Sequence, residues 1–302
     1  MKLLVTGANG QVGWELARSL MPLGEVVVLD RTACDLSRPE TMASVVEAHR
    51  PDVIVNAAAY TAVDKAESEP ELAHAINAAS VGALASAAKH AGALLIHYST
   101  DYVFDGTKQG PYREDDPTAP VNEYGRSKLA GEHAIEAAAC DALVLRTTWV
   151  YASRGKNFVA TMLRLFAERE SLSVVADQHG APTWARNIAD ATAHLVRWAL
   201  DQRQASGRVF RRFNLCAGGQ TTWHGFAEEI LRLAKVHWPE RDWVVAEIKP
   251  IPAEAYPVPA ARPANSCLDL FALQHETGLT MPHWKAAVEA CVAEMAGGGP
   301  TK

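Results

Sequence analysis

The sequence predicts an α/β fold, in which a doubly wound parallel sheet carries helices on both faces and a smaller α/β cap is attached to it. Two observations predict this fold. Short apolar runs alternate regularly with helical patterns through the first half of the chain, and the second half loses that regularity. Strand–helix alternation is typical of parallel sheets, because each parallel connection needs a long crossover that is usually a helix. The length of 302 residues suits one large domain or two interlocked ones.

In chain order, the predicted strands of the first half each end in small or polar residues. They are KLLVTG, EVVVLD, DVIVNAA, ALLIHYST and ALVLRTTWVY, with helices over 11–21, over ETMASVVEAHR, over 71–91 and from near Tyr124. Ligands of such sheets bind beyond the carboxyl ends of the strands. The hydroxyl and carboxylate cluster that follows ALLIHY is therefore a candidate wall of a site.

The second half predicts the cap and its return to the sheet. FVATMLRLFAERE and NIADATAHLVRWALD predict helices, RRFNLCA predicts a strand, and the proline-rich residues 250–265 predict an extended segment. We expect residues 1–151 and about 181–217 to form the sheet domain. We expect about 152–180 and 218–302 to form the cap, interleaved with the first domain.

Composition and charge narrow the class of protein. The chain is 48% hydrophobic and has a net charge of −6 without a block of basic residues, which disfavours nucleic acid as a partner but leaves a small anionic substrate open. The five cysteines are odd in number and widely spaced, as expected of reduced thiols in the cytoplasm. No apolar run is long enough for a membrane span or a secretory signal. The histidines show no metal-binding spacing, so we expect no catalytic metal.

The stretch GANGQVG carries Gly7, Gly10 and Gly13 between a predicted strand and a predicted helix. In this context glycines permit a tight turn, a close approach of the backbone to a pyrophosphate, and close packing of helix on strand. The amino terminus of the helix then offers free N–H groups to phosphate. The stretch predicts a dinucleotide-binding domain of the Rossmann type.

The end of the second strand leaves the choice of dinucleotide open. Asp30 would bind the ribose diol of NAD(H), whereas the adjacent Arg31 would accept the 2′-phosphate of NADP(H). Asp35 is a further candidate, as an acceptor for the adenine amine. We therefore expect NADPH or NADH as cofactor.

The stretch YGRSK places Tyr124 and Lys128 one helical turn apart, on one face. A lysine cation there would stabilise a tyrosinate and lower the pKa of Tyr124 from about 10 toward neutrality, which suits a general acid–base at a carbonyl or alcohol. Lys128 could also hold the nicotinamide ribose. Thr100, at a strand end, completes a hydroxyl–tyrosine–lysine set, and Trp149, at the next strand end, could form an apolar wall.

This set, the glycine turn and the segmented cap together resemble the extended short-chain dehydrogenase/reductases. A more specific resemblance covers nearly the whole chain and includes the cap. The segments GQVGWEL, PDVIVNAAAYTAVDKAE, HYSTDYVFDG, YGRSKLAGE, RTTWVY, NFVATMLRL, DQHGAPTWA and RPANSCLD are similar to the dTDP-4-dehydrorhamnose reductase family. The resemblance implies reduction of dTDP-4-dehydro-β-L-rhamnose by NADPH or NADH, with Tyr124 protonating the developing oxyanion.

The resemblance also implies site residues. Cofactor contacts fall on Gly10, Gln11 and Val12 at the pyrophosphate, on Asp30, Asp35 and Leu36 at the adenosine, and on Ala59, Tyr60 and Thr61 in a strand-end loop. Contacts with the sugar fall on Thr100, Asp101, Tyr124 and Trp149. Our own candidates near the substrate diphosphate are Arg262 and Asn265, because an arginine fits a diphosphate through paired hydrogen bonds.

One position departs from the family. Some members hold Mg²⁺ at a dimer interface through an acid on the first helix and another just after the APT stretch. Glu15 matches the first acid, but Arg186 occupies the second position, and a cation does not ligate Mg²⁺. We therefore expect no metal, and a monomer or homodimer that does not depend on one.

Three related functions compete with reduction. The sugar-nucleotide dehydratases usually have a glutamate base where Tyr102 stands, and the epimerases usually have small residues in place of Asp101 and Tyr102. The regulatory subunit of methionine adenosyltransferase resembles the same reductases but serves as a partner protein. The intact Thr100–Tyr124–Lys128 set favours an enzyme over such a subunit.

Overall fold

The computed structural model describes residues 1–297, which form twelve strands and eleven α-helices. The strands are β1 (Lys2–Thr6), β2 (Glu25–Leu29), β3 (Val53–Asn56), β4 (Leu94–Thr100), β5 (Ala142–Thr147), β6 (Val150–Tyr151), β7 (Ser171–Val175), β8 (His179–Gly180), β9 (Thr183–Trp184), β10 (Phe210–Asn214), β11 (Thr221–Thr222) and β12 (Glu247–Ile251). The helices are α1 (Gln11–Ser19), α2 (Met42–His49), α3 (Val63–Ala66), α4 (Pro70–His74), α5 (Ser80–Ala91), α6 (Glu123–Ala138), α7 (Phe158–Glu168), α8 (Ala185–Ser206), α9 (Trp223–His237), α10 (Phe271–Thr277) and α11 (Trp284–Gly297).

Six strands form one parallel sheet in the order β2-β1-β3-β4-β5-β10. The chain starts at β1, moves outward to β2, and then crosses to β3 on the other side of β1. This reversal is the topological switch point at which open α/β sheets bind their ligands. The predicted fold class, a Rossmann-type doubly wound sheet, is confirmed.

The apolar side chains of the strands point alternately to the two faces of the sheet. A layer of helices packs on each face and buries them. Leu3 and Val5 point into a core cluster with residues of α1 and α8. Leu4 and Ile54 point to the opposite face, into a cluster with residues of α2, α5 and α6. This arrangement leaves the carboxyl ends of the strands, where the loops emerge, as the place for a site.

A separate apolar cluster lies in the second half of the chain. It is built mainly from α7, α9 and α11 and includes Phe166, Phe226, Ile230 and Val288, all fully buried. A two-stranded parallel sheet of β7 and β12 accompanies it. The predicted boundaries between sheet domain and cap stay a prediction.

Three predicted elements differ from the structure in detail. The helix predicted over 71–91 contains a π-helical turn at Ala75–Ala79, between α4 and α5. The run ALVLRTTWVY breaks between β5 and β6, where Trp149 has a φ of 45° that no strand can contain. The proline-rich segment begins in β12 and forms a 3₁₀ turn at Ala253–Ala255 before it becomes irregular.

Within residues 1–297, no helix has the length and apolar character needed to cross a membrane.

Candidate active site

The loop between β1 and α1 is built around three glycines. Gly7 has a φ of 79°, in the left-handed region that favours glycine. A Cβ added at Gly7 would lie 2.8 Å from the backbone carbon of Ala57, and one added at Gly13 would lie 2.1 Å from the carbonyl oxygen of Gly7. Gly10 is the N-cap residue of α1 and has no side chain that could accept from the first N–H groups of the helix. These N–H groups therefore face the loop. The turn leaves room for a phosphate against the backbone.

Gln11 and Val12 follow the glycine turn at the start of α1. The Oε1 atom of Gln11 is buried and has no hydrogen-bond partner among the described residues. Val12 is partly buried against the apolar core on the α1 side of the sheet. The uncapped amino terminus of α1 fits the pyrophosphate of a dinucleotide, because its N–H groups are free to donate.

The residues predicted for the adenosine lie beyond the end of β2. The Oδ1 atom of Asp30 accepts hydrogen bonds from the backbone N and the Oγ1 of Thr32, at 2.9 and 2.6 Å. The Arg31 side chain is 76% exposed, and its Nε lies 3.5 Å from Asp35. Leu36 is buried. An acidic and a basic side chain therefore both stand at this end of the site.

The loop after β3 is fixed by Asn77, a residue that the sequence reasoning missed. The Asn77 side chain accepts from the backbone N of Tyr60 at 2.8 Å and donates to the Tyr60 carbonyl and the Ser127 hydroxyl at 3.0 Å. It thereby joins the loop that contains Ala59, Tyr60 and Thr61 to α6. Asn77 lies in the π-helical turn, and such turns are frequent at functional sites but leave no clear pattern in a single sequence.

Thr100 and Tyr124 meet beyond the end of β4. Thr100 is the last residue of β4 and is buried. Tyr124 lies in the first turn of α6, where the side chain of Asn122 accepts from the backbone N of Gly125 at 2.8 Å and fixes the start of the helix. The Thr100 hydroxyl donates to the Oδ1 of Asp101 at 3.1 Å, and it lies near enough to the Tyr124 hydroxyl to lower the pKa of Tyr124. The structure thus brings the predicted pair together.

The prediction that the pKa of Tyr124 is lowered is wrong. Burial raises the pKa of Tyr124 to about 12, and the hydrogen bond from Thr100 opposes this only in part. The prediction gave the Lys128 cation the larger effect, whereas removal from water dominates here. Tyr124 consequently keeps its proton at neutral pH, which is the state that a proton donor to an oxyanion requires.

Lys128 is 2% exposed and lies against β4. Its Nζ donates to the carbonyl of Tyr98 at 2.6 Å and lies 3.2 Å from the Nε2 of His97. Burial lowers the pKa of Lys128 to about 8, and the charge of Glu132, one turn further along α6, opposes the shift. The two groups within hydrogen-bonding distance of the Lys128 Nζ, the Tyr98 carbonyl and the His97 ring, carry no negative charge.

Asp101 and Trp149 stand at the ends of neighbouring strands. Asp101 is 4% exposed, and its Oδ2 has no hydrogen-bond partner in the described part of the chain. Burial raises its pKa to about 6.

The Trp149 ring stacks on that of Trp223, with centroids 3.6 Å apart. A positive φ at a bulky residue is strained, and strain of this kind concentrates at functional sites.

A cavity of about 950 Å³ opens between α7, β7 and the segment from 253 to 262. Arg262, Tyr102 and Trp223 line it. The guanidinium of Arg262 pairs with Asp64 at 2.9 Å, and its second terminal nitrogen, NH1, is buried without a partner among residues 1–297. The sequence reasoning found Arg262 but missed the α7 and β7 side of the cavity, including Arg169, because helix and strand patterns do not show which cap face is open.

Asn265, predicted beside Arg262, has a different environment. Its amide nitrogen donates to the carbonyls of Lys108 and Gly110, both at 2.8 Å, and its Oδ1 accepts from the backbone N of Cys267 at 2.9 Å. It is not among the residues that line the cavity. The structure gives Asn265 a role in joining two segments of the chain, and its contact with substrate stays a prediction.

The acidic pair expected of a metal-binding relative does not fit a metal here. The Arg186 guanidinium lies between Glu15, at 3.0 and 3.2 Å, and Glu294, at 2.9 Å. Burial alone would lower the pKa of Arg186, but its hydrogen bonds to both carboxylates raise it. No group of three metal-ligating side chains occurs in residues 1–297. A guanidinium, not a metal ion, neutralises these acids.

The chain matches known proteins over almost its whole length. It matches the model of the RmlD substrate binding domain family over residues 1–296. It is 56% identical over 295 residues to a dTDP-4-dehydrorhamnose reductase of Burkholderia thailandensis, covering 98% of this chain and 99% of that protein. It is 47% identical over 300 residues to the dTDP-4-dehydrorhamnose reductase of Escherichia coli strain K12, covering 98% of each chain.

Solved structures agree with this likeness. A dTDP-4-dehydrorhamnose reductase of Bacillus anthracis in complex with NADP has a TM-score of 0.88 at 35% identity, over 97% of this chain and 99% of that one. A UDP-glucose 4-epimerase of Thermus thermophilus in complex with NAD has a TM-score of 0.75 at 20% identity, over 99% of this chain and 100% of that one. The latter likeness shows the fold alone. Both sequence and structure thus show that this chain belongs to the RmlD substrate binding domain family.

Proposed function

We propose that this protein reduces dTDP-4-dehydro-β-L-rhamnose to dTDP-β-L-rhamnose, the last step of dTDP-L-rhamnose biosynthesis, with NADPH or NADH. The observation that carries the proposal is the meeting of Thr100 and Tyr124 at the sheet edge that also carries the glycine turn. Similarity to proteins named as reductases of this substrate supports it over most of the chain.

The chain's own residues perform the proton chemistry. Tyr124, protonated at neutral pH, donates its proton to the oxygen of the sugar carbonyl as negative charge develops there. Thr100 donates a second hydrogen bond to the same oxygen and helps to hold it in line with Tyr124. The Lys128 cation stabilises the tyrosinate that remains. The nicotinamide cofactor, when bound, supplies the hydride that reduces the carbonyl carbon.

The cofactor is assigned to the switch point of the sheet. Gly7, Gly10, Gln11, Val12 and Gly13 would hold its pyrophosphate, through backbone N–H groups at the start of α1. The residues at the adenosine would be Asp30, Arg31, Asp35 and Leu36. The nicotinamide side would meet Ala59, Tyr60, Thr61, Tyr124 and Lys128.

The substrate is assigned to the cavity and to the strand ends next to it. Arg262 has an unpartnered guanidinium nitrogen at the cavity and suits the diphosphate. Asp101 and Trp149 would contact the sugar beside Thr100. Tyr102 lines the cavity where dehydratases carry a base, and burial raises its pKa, so proton abstraction next to the keto group is not supported.

We further assign the protein to the cytoplasm as a monomer or homodimer that does not bind nucleic acid. All five cysteines are free and buried, which suits a reducing compartment. The negative net charge of −6 disfavours nucleic acid. The cap cluster of α7, α9 and α11 supports the division into residues 1–151 with about 181–217, and about 152–180 with 218–302, although Leu273 and Met281 pack in a sheet cluster.

The test is oxidation of NADPH and of NADH by the purified protein with dTDP-4-dehydro-β-L-rhamnose, generated in place by an upstream dehydratase and epimerase. We expect turnover that depends on this protein and yields dTDP-β-L-rhamnose, identified by chromatography against a standard. The rates with the two cofactors would decide between NADH, which Asp30 favours, and NADPH, which Arg31 favours. Cofactor binding without any turnover would contradict the proposal.

A further inference from the structure

A row of three polar side chains crosses the apolar layer between the sheet and helices α2, α5 and α6. Thr6, Asn56 and His97 are register neighbours on β1, β3 and β4, one step beyond the apolar row that includes Leu4 and Ile54. All three polar side chains are at most 1% exposed. Buried polar groups lower stability unless they are paired, so such a row needs a reason.

The row is continuous and ends at Lys128. The Thr6 hydroxyl donates to the Oδ1 of Asn56 at 2.6 Å, the Asn56 amide nitrogen lies 3.1 Å from the Nδ1 of His97, and the Nε2 of His97 lies 3.2 Å from the Nζ of Lys128. Burial and the Lys128 charge lower the pKa of His97 well below its ordinary range, so its ring is neutral. A neutral ring donates through one nitrogen and accepts through the other.

The row can therefore be hydrogen-bonded in two senses. In the first, the Asn56 amide donates to Nδ1, and the Nε2–H of His97 points at a neutral Lys128 amine. In the second, a Lys128 ammonium donates to Nε2, Nδ1–H donates to the Asn56 carbonyl oxygen, and the reversed Asn56 amide donates to Thr6. An ammonium has no acceptor, so a charged Lys128 permits only the second sense, whereas a neutral amine keeps two N–H donors, gains an acceptor and permits both.

We propose that His97, oriented by Asn56 and Thr6, is a positioning residue for Lys128, and that a charged Lys128 fixes its ring in the tautomer with Nε2 unprotonated. An ammonium has three N–H donors. The Tyr98 carbonyl takes one at 2.6 Å and His97 takes a second, which leaves the third directed by the other two. The positioning of Lys128 does not depend on the proposed function. Only the role of the third N–H donor in the reaction rests on it.

The charges that act on the pair are few. His97 faces Lys128 from β4, and Glu132 acts on Lys128 from its own helix. The Glu132 carboxylate is itself paired with Arg146 of β5 at 2.7 Å. His97 is thus the titratable group in direct contact with the ammonium among the described residues, and the pKa of Lys128, lowered to about 8, falls where the pair can be titrated.

The first test needs no substrate. The protein, with its histidines labelled with ¹⁵N, is followed by NMR as pH is raised through about 8, and the His97 signals are assigned by their loss in His97→Gln. We expect Nε2 to be the unprotonated nitrogen while Lys128 is charged, and the population with Nδ1 unprotonated to grow as Lys128 loses its proton. The growth should vanish in Lys128→Met. A ring that carries its proton on Nε2 while Lys128 is charged would overturn the proposal.

The second test compares turnover once the wild-type protein has been shown to be active. In His97→Leu we expect kcat to fall on the order of 10–100-fold, the size common for groups that orient an active-site residue, and the basic limb of the pH profile to move. His97→Gln, whose amide can still accept from Lys128, should recover most of the rate and the profile. Leu95→Ala, on the same face of β4, is the control for lost packing.

The outcomes separate the two proposals. An inactive wild type with the expected His97 titration would defeat the proposed function alone. If His97→Leu lowered thermal stability as Leu95→Ala does but kept the wild-type kcat and pH profile, His97 would be structural and the positioning role would be refuted.

Discussion

Lys128 and Arg146 are both buried cations near Glu132, yet their partners differ. Each is 2% exposed. The Arg146 guanidinium donates to both oxygens of Glu132, at 3.0 and 2.7 Å, and so loses its net charge to a carboxylate. Lys128 contacts the Tyr98 carbonyl and the neutral His97 ring. The first arrangement joins α6 to β5, whereas the second keeps a buried charge uncompensated and titratable.

The difference shows how stability and chemistry are divided between two buried cations near the same carboxylate. Removing one member of a buried ion pair leaves the other charge uncompensated and costs several kcal/mol. A buried cation with only neutral partners has already lost its hydration without a countercharge, so it lowers stability where it stands. We infer that Arg146 stabilises the fold and that Lys128 is kept for the site at the expense of stability.

Lys128→Met tests the active half of this comparison. We expect kcat to fall by about 10²–10⁴-fold, because the variant loses the cation that supports the Tyr124 acid. The free energy of unfolding should stay the same or rise, since a buried charge without a carboxylate partner is removed. Urea unfolding and steady-state kinetics on the same preparation measure both. A clear loss of stability would show that Lys128 is structural.

Arg146→Met should give the opposite result. We expect a loss of about 3–5 kcal/mol in the free energy of unfolding, because the buried Glu132 loses its two hydrogen bonds to Arg146 and keeps only Arg212, at 3.5 Å, as a cationic neighbour. Glu132→Gln combined with Arg146→Met should recover part of that loss. Below the unfolding transition, kcat per folded molecule should change little. A kcat loss as large as that of Lys128→Met would break the comparison.

Asp101 extends the comparison to a buried anion. Its pKa is raised from 3.8 to about 6, so the folded protein binds this proton more tightly than the unfolded chain does. The resulting stabilisation is fully present below 3.8 and is lost as pH rises through about 6. Asp101→Asn should therefore gain stability relative to the wild type as pH rises through this window. Unfolding curves on both sides of the window that differ equally would contradict the assignment.

The smallest expected effect concerns Arg186. It tests the prediction that Glu15 and Glu294 are neutralised by this guanidinium and not by a metal ion. Because its guanidinium already neutralises Glu15 and Glu294, EDTA and added Mg²⁺ should leave thermal stability and turnover of the wild type unchanged. Arg186→Glu should be less stable by about 1–3 kcal/mol, because Glu15 and Glu294 lose their shared guanidinium and gain a third carboxylate as neighbour. Added Mg²⁺ should restore part of that loss only in the variant. A wild-type response to EDTA would show that a metal contributes.

Local patterns in the sequence predicted the sheet and the glycine turn because each depends on nearby residues. Short apolar runs between helical patterns predicted β1 to β5, and the GANGQVG spacing predicted the turn at Gly7. The Tyr124–Lys128 spacing followed from one helical turn. The sign of the Tyr124 pKa shift did not follow, because burial is a property of the whole fold.

The unpredicted features depend on contacts between distant segments. The polar row requires the register of β1, β3 and β4, which the separate strand patterns do not contain. The pairing of Arg186 with Glu15 and Glu294 joins three helices far apart in the chain. The sequence suggested only that Arg186 could not bind a metal, and not which residues it would neutralise.

The central claim is that Tyr124 is the proton donor of a carbonyl reduction. The most direct measurement compares NADPH oxidation with dTDP-4-dehydro-β-L-rhamnose by the wild type and by Tyr124→Phe, with NADPH binding followed by fluorescence as the control. We expect the variant to lose about 10²–10⁴-fold in kcat while its affinity for NADPH is unchanged. A variant that turned over at nearly the wild-type rate would show that another group donates the proton.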